Sequence, residues 1–140
     1  MKVIKVSRIA LCAFAILFFG CSDMDDEPSR YEQFIADSVP LDSTAENHLS
    51  SGDIVYVALE GNGSTGYWWY YTISDQSVVS FLESDTFNFA DEDIVGGPVT
   101  GIWKFECGTA GSAVIVFDYF RSWEGIESSV NTKTFSLSVE

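Results

Sequence analysis

The sequence predicts an all-β domain, an immunoglobulin-like β-sandwich, on three observations. Short β-branched and aromatic runs recur through residues 51–140, glycine-centred turn signals separate them, and no amphipathic helical stretch of any length interrupts them. The first run, residues 54–60, is apolar and β-branched, with Gly52 ahead and Gly61-Asn62-Gly63 behind. In residues 67–73 the aromatics alternate: Tyr67, Trp69 and Tyr71 share one face and Trp68 and Tyr70 the other. Residues 78–89 carry one or two further strands broken by polar positions. Residues 100–107 set Trp103, Phe105 and Cys107 against Lys104 and Glu106. A turn at 108–111 leads to residues 113–120, an almost continuous apolar run that predicts a central strand. The chain closes with residues 133–139, where Phe135, Leu137 and Val139 face one way. The Cys–Trp–Cys arrangement of antibody domains is absent, and no internal repeat stands out.

The start of the chain reads differently. Lys2, Lys5 and Arg8 precede an apolar run over residues 9–20, shorter than a comfortable membrane span and suited to a signal peptide. Cys21 follows Gly20 directly and resembles the lipidated cysteine of bacterial lipoproteins, although Phe18 and Phe19 are bulky for that motif. The resemblance implies export, a palmitate-bearing lipid anchor on Cys21, and a place in the cell envelope at the outer membrane. The acidic Asp23, Asp25, Asp26 and Glu27 resemble the run that follows this cysteine in some surface-exported lipoproteins of Gram-negative gut bacteria. An ordinary signal peptide cut nearby, or an uncleaved anchor, is the alternative. Residues 21–49, rich in Asp, Glu, Ser, Asn and Pro, are expected to form a flexible acidic tether. A short helix at residues 29–37 is compatible with their pattern but not required by it. The domain is then expected over residues 50–140, as a monomer.

Charge and chemistry narrow the function. Loss of residues 1–20 leaves four Lys and Arg against 21 Asp and Glu, a net charge of −17 with His neutral. Phosphate backbones and anionic membranes repel such a chain, so nucleic acid is set aside. With Cys12 in the signal and Cys21 lipidated, Cys107 stands alone, its alternation with Trp103 and Phe105 predicting a buried strand thiol. The one histidine, His48, lies in a polar stretch far from it in sequence, so no nucleophile–base pair is visible. No His/Cys cluster suits a metal, and Asp91-Glu92-Asp93 reads as a solvated acidic loop rather than a calcium site. Neither an enzyme nor a cofactor is expected.

Three loops remain as candidates for binding: Asn62-Gly63-Ser64-Thr65-Gly66-Tyr67, Gly96-Gly97-Pro98 with Gly101 beyond it, and Arg121-Ser122-Trp123-Glu124-Gly125. Taken singly, each is ordinary turn chemistry. Trp123, flanked by Arg and Glu past a strand end, is expected to be exposed and to anchor a partner. In this order and spacing the loops resemble those of the chagasin family, inhibitors of papain-like cysteine proteases. Asn62, Thr65, Gly66 and Tyr67 match the family's first motif, with Gly63 and Ser64 in place of Pro and Thr. Arg121 and Trp123 match the third, with Ser122 in place of Pro. Gly96, Gly97 and Gly101 match the glycine loop more loosely. The resemblance spans residues 50–140.

It implies a non-covalent inhibitor whose three loops gather at one end of the sandwich and occlude the protease cleft. Thr65 and Gly66 would lie nearest the catalytic cysteine, and Trp123 would rest on the enzyme with Arg121 shaping its loop. The backbone of Gly96, Gly97 and Pro98 would line the cleft wall. Gly63 and Ser122 leave their loops freer than proline would, so affinity is expected to fall by about one or two decades in Kd relative to the best family members. The alternatives are a surface lipoprotein that stacks sugars on Tyr67, Trp68, Tyr70 and Trp123, or an Ig-like adhesion module with inert loops.

Overall fold

The computed structural model describes residues 29–89 and 97–140. The proposed signal peptide, Cys21, Asp91-Glu92-Asp93 and Gly96 lie outside these residues. Two four-stranded sheets pack face to face. The first runs β1-β3-β6-β5, from Val39–Pro40, Ile54–Gly61, Val99–Cys107 and Val79–Phe87. The second runs β2-β8-β7-β4, from Glu46–Leu49, Asn131–Val139, Gly111–Arg121 and Tyr67–Ile73. Each of the six expected strand regions yields one strand. The 78–89 region is a single strand, β5, whose register against β6 slips between Phe81 and Glu83, a bulge that lets the edge strand bend.

Alternation places the core. Val55 and Val57 of β3, Trp103, Phe105 and Cys107 of β6, and Ala113, Ile115 and Phe117 of β7 are buried between the sheets with Phe135 and Leu137 of β8. The Phe117 ring meets Trp103, Phe105 and Phe135 near-perpendicularly at 5.0, 6.3 and 6.0 Å, the edge-to-face arrangement that aromatic rings favour. β7 is a central strand, as its apolar run predicts. Cys107 is buried, and burial pushes its thiol pKa up, with the carboxylates of Asp53 and Glu106 adding to the shift.

The structure corrects the extent of the tether. Over its described part, residues 29–49, the segment expected to be flexible belongs to the folded domain. β1 pairs in parallel with β3 and β2 with β8, so one short strand joins the edge of each sheet. Ahead of them, helix α1 (Arg30–Ile35) begins at Ser29, whose hydroxyl and backbone exchange hydrogen bonds with Glu32 in a capping box. The helix covers the outer face of the first sheet. Ile102 is fully buried there, and Lys104 is nearly so, its Nζ 2.9 Å from Glu83 and 5.1 Å above the Phe34 ring.

Candidate functional site

Strand direction alone brings the three loops together. β3, β5 and β7 all run towards one pole, and β4, β6 and β8 all leave it. Gly61 pairs with Val99, Phe87 with Thr100, Tyr67 with Arg121, and Tyr119 with Asn131, so each loop springs from strand ends that are already joined. The opposite pole carries the turns at residues 50–53, 74–78 and 108–110.

The first loop is a single 3-10 turn, Gly63–Thr65, between β3 and β4. Asn62 caps it: its Oδ1 accepts from the Ser64 amide at 3.2 Å and the Ser64 hydroxyl at 2.5 Å. The Thr65 amide and hydroxyl both donate to the Asn62 carbonyl, at 3.2 and 2.8 Å. Gly66 then turns the chain into β4 with φ 79° and ψ −5°, a left-handed conformation that suits glycine.

Strand residues hold this loop from below. The Trp69 indole donates to the Glu60 carbonyl at 2.8 Å, and the Tyr119 hydroxyl accepts from the Asn62 amide at 3.0 Å. Arg121 binds it to the third loop. Its Nε donates to the Thr65 carbonyl at 3.0 Å, its guanidinium lies 4.4 Å over the Tyr67 ring, and its Nη1 reaches Glu124 at 3.3 Å. Trp123 lies across Gly66: a methyl group on Gly66 would sit 2.1 Å from Cη2 of the indole. Even so, Trp123 is 70% exposed. Ser122 is exposed beside it.

The remainder of the third loop is braced by its own backbone. The amides of Ser128 and Ser129 donate to Gly125 and Ile126, and the Val130 amide returns to the Tyr119 carbonyl. Ile126 and Val130 stand half or more exposed beside Trp123 in the sequence of this loop. Sequence reasoning did not single them out, because isolated apolar residues among Gly, Glu and Ser give little signal. In the second loop Gly97 is half-buried and Pro98 exposed. Pro98 shares with Glu60, Asn62, Trp69, Tyr119 and Asn131 a hollow of about 350 Å³ at the base of the loops. Gly101, which the sequence suggested as part of that loop, lies inside β6, where a side chain would collide with the Trp103 ring.

Of the four aromatics proposed as a sugar platform, Trp123 stays exposed on the loop pole, while the other three are engaged with other residues of the protein. The Tyr67 face is occupied by Arg121 and stacks at 5.5 Å on Tyr119, while Trp68 packs on Gly61 and Trp103. Tyr70 lies on the outer face of the second sheet against Phe120. Among the described residues no group of three or more His, Cys, Asp and Glu could hold a metal ion, and no helix is long and apolar enough to cross a membrane.

No curated protein matches the chain by sequence. Solved structures share its fold. The cysteine protease inhibitor EhICP2 of Entamoeba histolytica superposes with a TM-score of 0.65 at 22% identity, covering 74% of this chain and 96% of that one. Amebosin has a TM-score of 0.53 at 24% identity, covering 74% and 94%. PbICP-C, solved in complex with falcipain-2, has a TM-score of 0.53 at 20% identity, covering 74% and 89%. The sequence model of the family described as chagasin family peptidase inhibitor I42 matches residues 48–139, a span that takes in all three loops and the strands that aim them. The chain belongs to the chagasin family of peptidase inhibitors.

Proposed function

We propose that this protein is a reversible, non-covalent inhibitor of papain-like cysteine proteases that fills the active-site cleft with the three-loop pole. The observation that carries this reading is the bond from Arg121 to the Thr65 carbonyl beneath an exposed Trp123 lying on Gly66. First and third loops thereby form one convex edge, fixed before any partner arrives. A preformed surface loses little conformational freedom on binding, which favours affinity. The family assignment supports a peptidase as the partner, and PbICP-C, of the same fold, supports the papain-like class.

The same geometry explains why such a loop resists cleavage. A scissile peptide must lie extended with its carbonyl presented to the enzyme's oxyanion donors. Here the chain at Gly63–Thr65 is a 3-10 turn, and the Asn62 and Thr65 carbonyls are engaged by the loop itself and by Arg121. Thr65 and Gly66 can approach a catalytic thiolate without offering it a correctly aimed carbonyl. Titration of papain with the protein should give reversible inhibition that competes with substrate, and the chain should stay intact after prolonged incubation. Absence of inhibition, or cleavage between residues 62 and 67, overturns the proposal.

The protein acts as an exported monomer held to the outer membrane by a lipid on Cys21, a reading supported by the basic start, the apolar run and Gly20-Cys21. Seven residues separate Cys21 from Ser29, eight chain steps with a reach of at most about 28 Å, so the lipid would keep the domain close to the membrane. Cys21→Ala should release the protein from the membrane fraction. Retention of that variant would exclude the anchor.

A further inference from the structure

Helix α1 lies on the outer face of the first sheet and comes from residues ahead of the family's matched span, which begins at residue 48. Its contacts converge on the end of β5. The Phe87 ring, which is buried, lies 5.6 Å from Tyr31 and 5.5 Å from Phe34. Arg30 makes an ion pair with Asp85, and its guanidinium stands 5.0 Å over Phe87. One contact goes further: Tyr31 meets the Phe89 ring edge-on at 5.0 Å, and Phe89 stacks on Phe87 at 6.4 Å. Phe89 is past the last residue of β5, at the root of the second loop, and is otherwise largely exposed. Arg121 and Tyr119 brace the first and third loops. At its β5 end, the second loop meets a helix.

We propose that α1 is a positioning element for the β5-side root of the second loop, with Tyr31 holding Phe89, and Arg30 and Phe34 holding Phe87, so that the chain leaves the sheet towards that loop from a fixed point. This rests on the inhibitor reading above. Without the helix, the root would be ordered only on binding, at a cost each immobilised side chain adds to. Tyr31 touches no part of the proposed cleft-filling edge and acts through Phe89.

The test uses the full chain with Tyr31→Ala, Tyr31→Phe and Phe89→Ala, titrated against papain, with amide exchange followed in the free protein. Tyr31→Ala should raise Ki about threefold to tenfold, the effect of freeing one or two such side chains, and Tyr31→Phe should stay near wild type because the ring contact survives. Phe89→Ala, at an exposed position that leaves the core intact, should reproduce the loss. The double variant Tyr31→Ala/Phe89→Ala should lose no more than either alone, whereas Tyr31→Ala should multiply fully with Trp123→Ala. In the free protein, Tyr31→Ala should speed exchange at residues 88 and 89, the root of the second loop, and leave residues 63–66 unchanged. Unchanged exchange at that root overturns the positioning role whether or not papain is inhibited. A wild-type chain that does not inhibit papain overturns only the function proposed above.

Discussion

Gly66 offers the sharpest perturbation, because one methyl group there tests both the backbone and the junction between two loops. At φ 79° an L side chain costs roughly 1–2 kcal/mol, which appears as lost stability of the first loop. The collision is a separate matter. A Cβ at 2.1 Å from Cη2, with Cζ2 and Cζ3 at 2.9 and 3.1 Å, forces the indole of Trp123 off the loop by about 1.5 Å to reach ordinary contact distance. Trp123 is the exposed aromatic of the edge, and truncating such an anchor costs on the order of 2 kcal/mol in binding, about thirtyfold in Ki. Gly66→Ala should therefore cost at least as much as Trp123→Ala, since it misplaces the same ring. In a Trp123→Ala background the collision is gone and only the backbone strain remains. The double variant should then fall short of the product of the two singles by about thirtyfold, a coupling near 2 kcal/mol. Ki values for papain, with melting temperatures to separate strain from contact, make the measurement. Effects that multiply, near a thousandfold for the pair, would refute the idea that Trp123 works from its seat on Gly66.

Gly63 occupies the first position of the 3-10 turn, follows an extended Asn62 (φ −123°, ψ 90°), and has open space around its Cβ direction, so Gly63→Pro should fit. It should raise stability by about 0.4–1 kcal/mol and tighten Ki about twofold to fivefold by restricting the free loop; weaker inhibition would show that the loop must flex to bind. Tyr119→Phe removes the acceptor of the Asn62 amide without changing the exposed edge, and should weaken Ki about twofold to tenfold, the worth of one hydrogen bond. Cys107→Ser should leave Ki untouched while lowering stability by about 1–3 kcal/mol, since a buried thiol at the far end of β6, roughly 26 Å along the strand from Val99, cannot reach a bound protease. Glu32 has its carboxyl pKa held low, first by the Ser29 backbone and then by its hydroxyl, so its support of α1 is complete above about pH 4.5 and is lost as pH falls through its lowered value. Amide protection of the helix should follow that sign, and Glu32→Gln should flatten the dependence.

What could be read from the sequence was local. The paired strands β3, β4, β6, β7 and β8 announce themselves by alternation and by glycine turns, and their directions then force the loops to one pole. The loop chemistry of Asn62, Gly66, Arg121 and Trp123 was equally visible, because capping residues, left-handed glycines and isolated tryptophans carry meaning within a few positions. The rest depends on partners far along the chain. Glu46-Asn47-His48 is polar, and it is a strand because β8 offers a free edge to pair with. Lys104 alternates as a solvent-facing residue, yet it is buried because Phe34, seventy positions earlier, lies over it. Gly101 resembles a loop glycine, and its reason lies in the Trp103 ring that rests on it. A six-residue helix has too little pattern to be distinguished from a polar tether until the face that it covers is known.

The supports of the first loop share a form that bears on affinity and on tolerance to change. Trp69 Nε1 to the Glu60 carbonyl, Tyr119 Oη to the Asn62 amide, and Arg121 Nε to the Thr65 carbonyl all run from side chains of the second sheet to backbone at or beside the loop. The side chains of Ser64 and Thr65 are left out of that scaffold, so they can vary while the path of the chain stays fixed. Sequence drift at the edge should therefore alter which cleft it fits sooner than whether it fits any. Ser64, whose hydroxyl donates to Asn62 Oδ1 within the same turn, is the position where that separation is cleanest. A change there leaves all three bonds from the second sheet in place and alters only the surface met by the enzyme, so its effect should differ between proteases while the melting temperature stays nearly constant.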